Sequence, residues 1–172
     1  MQTQDAIRAR RNVRSYRTDP VPDADLDQIA DAAWRAPSAS NRQHWTFIIV
    51  TDPEQLRALS TVWQGAGHIA GAAAAIAVIV PQTDDDRTRL LDYYDLGQAT
   101  YAIALAAADL GIGTGHASVG DQEAARKILG GVPADQDVAF LIGIGYPAGR
   151  PLKPLARPNR RPVAEVIRHG HW

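Results

Sequence analysis

Apolar residues change their spacing several times along this chain, and each change marks an element. After residue 23, Leu26, Ile29, Ala30 and Ala33 recur three and four apart, which predicts an amphipathic helix that Pro37 stops. Residues 36–45, from Ala36-Pro37-Ser38 through Asn41 to His44-Trp45, are small, polar and rich in turn formers, and predict a loop. Residues 46–51 then form a short β-branched run suited to a buried strand. Asp52 before Pro53 has the form of an N-cap followed by a first helical position, and predicts a helix to about Trp63, closed by Gly65 and Gly67. Residues 73–80 predict a second buried strand ended by Pro81, and residues 138–147 a third.

Between these strands, residues 88–110 contain no proline, and residues 99–108 are apolar on nearly every face. Such a helix should be buried all round. At about 1.5 Å per residue it would run roughly 34 Å, the width of the whole domain, so a chain of this size leaves too little to cover it and a homodimer would supply the missing cover. Residues 4–11 predict one or two helical turns, 15–22 an extended connector, 111–115 a break, and 121–129 a short helix. Residues 148–162 predict a proline-rich tail, and 163–168 a last helical turn. Irregular alternation of strands and helices without a repeat favours an α+β layer structure in one domain spanning residues 1–172.

The chain has 172 residues, and its formal net charge of −1 excludes a generally polyanion-coating protein. That total conceals two segments. Residues 8–17 hold five Arg and no acid, and residues 150–161 hold four Arg, Lys153 and no acid. Each segment carries +5, so the other 150 residues carry −11. Arginine's planar fork of donors suits phosphate oxygens and the carbonyl edge of a heterocycle. Only Tyr16 lies near the first cluster and no aromatic lies within the second, which argues against a nucleic-acid groove and for a discrete phosphorylated ligand. The absence of Cys removes disulfides, thiolate nucleophiles and iron–sulfur clusters and fits a reducing cytoplasm. The longest apolar run, residues 69–80, is too short to span a bilayer, and the expectation is a soluble, cytoplasmic protein. The five His show no metal-ligand spacing, and no metal is expected. Gly111, Gly113 and Gly115 follow a helix rather than a strand, which argues against a dinucleotide-binding turn, and Gly143 to Pro147 read as a turn closing a strand.

Taken in order, several segments resemble the FMN-dependent nitroreductase family. Arg10-Arg11-Asn12-Val13-Arg14-Ser15-Tyr16 is similar to its N-terminal Arg-Arg-Ser-x-Arg-x-Phe motif, and residues 36–45 to its Ala-Pro-Ser-x-x-Asn-x-Gln-Pro-Trp loop. Asp95-Leu96-Gly97-Gln98-Ala99, Leu110 to Gly113, Ile144 to Pro147 and Arg160 to Ile167 follow in the family's order.

The resemblance implies an α+β fold with a mixed sheet flanked by helices, built as an intertwined homodimer with FMN at the interface. By position, Arg10, Arg11 and Asn12 would hold the phosphate and ribityl chain, and Arg14 would face the N1/C2 edge of the ring. Arg160, with Arg161, would hold the phosphate from the C-terminal side. Pro37, Ser38, Ala39 and Asn41 would approach the partner subunit's flavin, and the backbone at Ala117 and Ser118 would lie near N5. Electrons would pass from NADH or NADPH through flavin N5 to a nitroaromatic, quinone or similar acceptor in a ping-pong cycle. No catalytic side chain is required, and Arg14 would act electrostatically. Specialised flavin chemistry is the alternative within the family: dehalogenation, flavin breakdown or deazaflavin-linked reduction. Outside enzymes, the alternative is a non-catalytic phosphate-ligand or nucleic-acid binding module. Asn12 stands where the family has Ser, and His44 where it has Pro. His44 is therefore either a substrate contact or a surface-loop residue. The short stretch from Pro81 to Leu90 leaves little room for a segment roofing the flavin.

Overall fold

The computed structural model describes residues 2–172. Its helices are α1 (Thr3–Ala9), α2 (Asp23–Trp34), α3 (Pro53–Leu59), α4 (Asp86–Asp109), α5 (Gln122–Ile128) and α6 (Val163–Val166). Its strands are β1 (Thr46–Val50), β2 (Ala74–Pro81), β3 (Gly113–Ser118) and β4 (Gln136–Gly145). They form one sheet in the order β1-β2-β4-β3, every neighbouring pair antiparallel. This is the α+β architecture expected from the chain, but the sheet is antiparallel throughout rather than mixed: no two of its four strands run side by side in the same direction.

Two-residue periodicity in the central strand β2 divides the core. Ala74, Ile76, Val78 and Val80 pack with Leu26 and Ile29 of α2 and Leu96 and Ile103 of α4, while Ala75, Ala77 and Ile79 pack with Leu56 and Leu59 of α3, Ile69 and Leu141. Both faces of β2 are covered, which explains why its run is apolar throughout and why small alanines suffice. Asp52 caps α3, its carboxylate accepting the Gln55 N–H at 2.7 Å, with Pro53 at the first helical position as expected.

Three further expectations need correction. Helix α3 stops at Leu59, four residues short of Trp63, and continues as turns to Gly67. Residues 111–115 are not simply a break: Gly113 begins β3, whose pairing with β4 overrides the low strand propensity of glycine. Helix α4, with 24 residues, is longer than predicted but not buried all round. Leu90, Tyr94 and Tyr101 stand at 72, 67 and 39% exposure along one side of it. Among the described residues, no helix is long and apolar enough to cross a membrane.

Candidate functional site

The basic N-terminal motif follows α1, where the backbone at Arg10 becomes extended. From there the chain is laced to the sheet. Val13 donates its N–H to the Thr114 carbonyl at 2.8 Å and Arg17 to Tyr146 at 2.8 Å, and Ser15 accepts the Ala148 N–H at 3.0 Å. The fit depends on four glycines that face one another across the β3–β4 ladder, Gly113 opposite Gly145 and Gly115 opposite Gly143. A Cβ on Gly113 would meet the Val13 side chain at 2.6 Å, and one on Gly115 would stand 2.2 Å from the Val13 carbonyl oxygen. Cβ atoms on Gly143 and Gly145 would meet Tyr16 at 2.9 Å. These glycines therefore make neither a dinucleotide turn nor a strand-ending turn. They floor a slot that seats Val13 and Tyr16. The Tyr16 hydroxyl lies 2.7 Å from the Val13 carbonyl and 3.1 Å from that of Gly143, and burial pushes its phenol well above the ordinary value.

Seating the motif brings the two basic segments together. A cleft of about 630 Å³ is lined by Ile7, Arg8, Arg10, Arg11, Asn12 and Tyr101 on one side, and by Arg150, Leu155, Pro158, Asn159 and Arg160 on the other. No carboxylate lines it. Arg11 is the strut between the two walls, donating from both terminal nitrogens to the carbonyls of Arg150 and Pro151. Partial burial, and then Arg150, lower its pKa from the ordinary value. The Arg10 guanidinium stacks 5.0 Å from the centroid of Tyr101, and its buried Nε has no hydrogen-bond partner. An unpartnered buried donor in an acid-free cleft suits an anionic ligand. The donor set, guanidiniums with two Asn side chains, fits the phosphate and polyol chain of FMN.

Other expected site residues lie elsewhere in a single chain. Arg14 is exposed, and Arg161 pairs with Glu165 at 3.2 Å; neither lines the cleft. Ala117 is buried among the α3-side core residues, and Ser118 is exposed at the end of β3. Pro37, Ser38, Ala39 and Asn41 sit on the 36–45 loop and are not among the residues that line the cleft. His44 is not a surface-loop histidine. Its side chain is only 7% exposed, with Nε2 3.1 Å from Asp92 of α4, and it lines a separate groove of about 540 Å³ with Trp45, Ile48, Ile79 and Leu129.

The 36–45 loop has a high-energy backbone. Ser40, Asn41 and Gln43 have φ of 52, 55 and 48°, in the left-handed region that costs L-residues about 1–2 kcal/mol each, less for Asn. Such a conformation persists only where its surroundings over-determine it. Ser38 Oγ accepts the Gln43 N–H at 3.0 Å, the Gln43 side chain reaches back to the Asn41 carbonyl, and Trp45 is buried in the core. Two buried acids on α4 complete the support: Asp95 accepts the Ala39 N–H at 2.9 Å, and Asp92 lies 3.1 Å from both Arg42 and His44.

Several of these residues carry no sequence signal of their place. Tyr101 falls among the apolar positions of the long helix, and nothing in one sequence separates a cleft-lining aromatic from a core one. Arg8 and Arg150 belong to the basic segments, whose composition does not single them out. On β3, burial lowers the pKa of His116 from its ordinary value, and the charges of Arg10, Arg14 and His68 lower it further.

Residues 7–66 match the model of the Nitroreductase family. The chain is 35% identical over 145 residues to an Archaeoglobus fulgidus protein provisionally named NADH dehydrogenase/NAD(P)H nitroreductase, covering 82% of this chain and 83% of that one. It is 31% identical to an NADH dehydrogenase of Thermus thermophilus, covering 81 and 83%. The fold is similar to that of an FMN-dependent nitroreductase from Clostridium difficile, with a TM-score of 0.83 and 25% identity over 97% of this chain and 98% of that one. With relatives this similar across four-fifths of its length, the chain belongs to the nitroreductase family.

Proposed function

We propose that this protein is an FMN-dependent oxidoreductase that takes reducing equivalents from NADH or NADPH and passes them to a nitroaromatic, quinone or similar small acceptor. One observation carries the reading: two acid-free basic segments from opposite ends of the chain meet at a single cleft, where the buried Arg10 Nε has no partner. Arg10 and Arg160 would bind the FMN phosphate, and Asn12 would hydrogen-bond along the ribityl chain. Arg11, already tied to the Arg150 and Pro151 carbonyls, would hold the two walls in register and add charge. Arg14, exposed and not among the residues lining the cleft, would stabilise negative charge at the ring edge without transferring a proton. Bound FMN would supply the hydride-accepting N5 that this chain's side chains lack.

The working unit is proposed to be a homodimer. Leu90, Tyr94 and Tyr101 form an uncovered apolar stripe on α4, and Val163, Val166, Ile167 and Trp172 are uncovered near the C-terminus. A second copy would bury the stripe and bring residues 37–41 to the neighbouring cofactor. Purified protein is expected to be yellow, to release FMN on denaturation and to be bleached by NAD(P)H under anaerobic conditions. Colourless protein that cannot be reconstituted with FMN would reject the reading. Tyr94→Arg should shift the dimer toward monomer in sedimentation and lower FMN retention with it.

A further inference from the structure

Asp92 and Asp95 stand three residues apart on α4, at 3 and 1% exposure. Burying two carboxylates on one helical turn is unfavourable unless both are well partnered. Both are directed to the same short loop. Asp95 Oδ2 accepts the Ala39 N–H at 2.9 Å, with the Gln98 amide at 3.4 Å from Oδ1. Asp92 Oδ1 lies 3.1 Å from Arg42 Nη2 and 3.1 Å from His44 Nε2, ion-pair contacts without hydrogen-bond geometry. Between the Ala39 attachment and those at Arg42 and His44 lie Ser40 and Asn41, two of the loop's three left-handed residues. The strained segment is thus clamped at both ends by one rigid helix, the helix that also carries the uncovered stripe of Leu90, Tyr94 and Tyr101.

We infer that Asp92 and Asp95 are positioning residues that set the shape of the 37–41 segment so that it meets the cofactor bound by a second copy. This rests on the oxidoreductase reading above and deepens it. Because clamp and stripe share α4, docking two copies along that helix would fix the loop relative to the neighbouring cleft without further adjustment. Asp95 needs only an acceptor oxygen, since its partner is a backbone N–H. Asp92 needs charge, since its partners are a guanidinium and an imidazole.

Amide hydrogen exchange at Ala39 tests the clamp without flavin, on the full chain and on Asp95→Ala, Asp95→Asn and Asp92→Asn. Exchange at Ala39 should accelerate about tenfold or more in Asp95→Ala and stay within about threefold of wild type in Asp95→Asn, whose amide oxygen still accepts. Asp92→Asn should leave Ala39 protected but speed trypsin cleavage after Arg42, which is already exposed in wild type. FMN titration, read by the visible circular dichroism of the bound flavin, should then follow the same order, with Asp95→Ala weakest and Asp95→Asn near wild type. Equal exchange in wild type and Asp95→Ala would overturn the clamp, and so would faster exchange with unchanged FMN affinity and dichroism. If Asp95→Ala does not fold, trypsin sensitivity at Arg42 decides: cleavage no faster in Asp92→Asn than in wild type overturns the clamp. Should wild type take up no FMN while the exchange pattern holds, the oxidoreductase reading falls and the clamp on the loop stands.

Discussion

The basic cleft and the 36–45 loop reach their shapes by opposite means. The cleft is a set of like charges with no acid on its walls, and its arginines are brought together by backbone pairing and by the glycine-floored slot beneath Val13 and Tyr16. Its side chains are thus left with unspent donors, such as the Arg10 Nε. The loop has a strained backbone, and its Arg42 and His44 stand 3.1 Å from the buried carboxylate of Asp92, opposite charge set against the loop rather than like charge against like. A region built to bind gathers charge of one sign and leaves it unneutralised, and a region built to present its backbone is held by opposite charge and by hydrogen bonds to its own main chain.

Substitution can break either half of this contrast. The largest effect should come from Gly115→Val: even its Cβ alone would stand 2.2 Å from the Val13 carbonyl oxygen. Displacing the motif should cost about 3 kcal/mol or more in urea unfolding and abolish FMN retention together with stability. Arg10→Ala and Arg160→Ala should leave unfolding nearly unchanged and weaken FMN binding by about 1.5–3 kcal/mol each, measured by fluorescence titration. Unaltered affinity in both would remove the cleft from the site. Asp92→Ala should act on the loop half, lowering stability by about 1–2 kcal/mol in urea unfolding because Arg42 and His44 lose their buried partner. The smallest effect should come from His116→Gln. Its depressed pKa means the unfolded chain takes up a proton that the folded protein resists, so its contribution is complete above the ordinary value of 6.5 and is lost as pH falls below it. Thermal melts of wild type and His116→Gln should therefore diverge on the acid side and run parallel above neutrality.

How much could be read from the sequence divides along the same line. Residues 8–17 and 150–161 stood out by composition, since an acid-free arginine cluster is visible wherever the chain later places it. Their convergence was implied only by the family resemblance, because pairing 140 residues apart, as between Arg11 and Pro151, leaves no local trace. The loop was visible as turn-forming residues, but its support was not: Asp92 and Asp95 occupy ordinary helical positions, and burial belongs to the tertiary structure. Gly113 and Gly115 read as a break because glycine disfavours strands locally, whereas the reason for glycine there is Val13, a hundred residues away. The composition of α4 implies burial on all sides, and the uncovered stripe of Leu90, Tyr94 and Tyr101 departs from it.

The slot beneath Val13 and Tyr16 is a steric fit, with no ion pair among its parts. Shape complementarity does not weaken with ionic strength, whereas attraction between the exposed guanidiniums of Arg8, Arg150 and Arg160 and an anion is screened beyond about 10 Å at 0.1 M salt. Concentrated salt should therefore weaken the cleft's hold on an anion while the motif stays seated, and dilution should restore it without a refolding step. The same chain could be stripped and reloaded repeatedly, with the native cofactor or with an analogue exchanged for it.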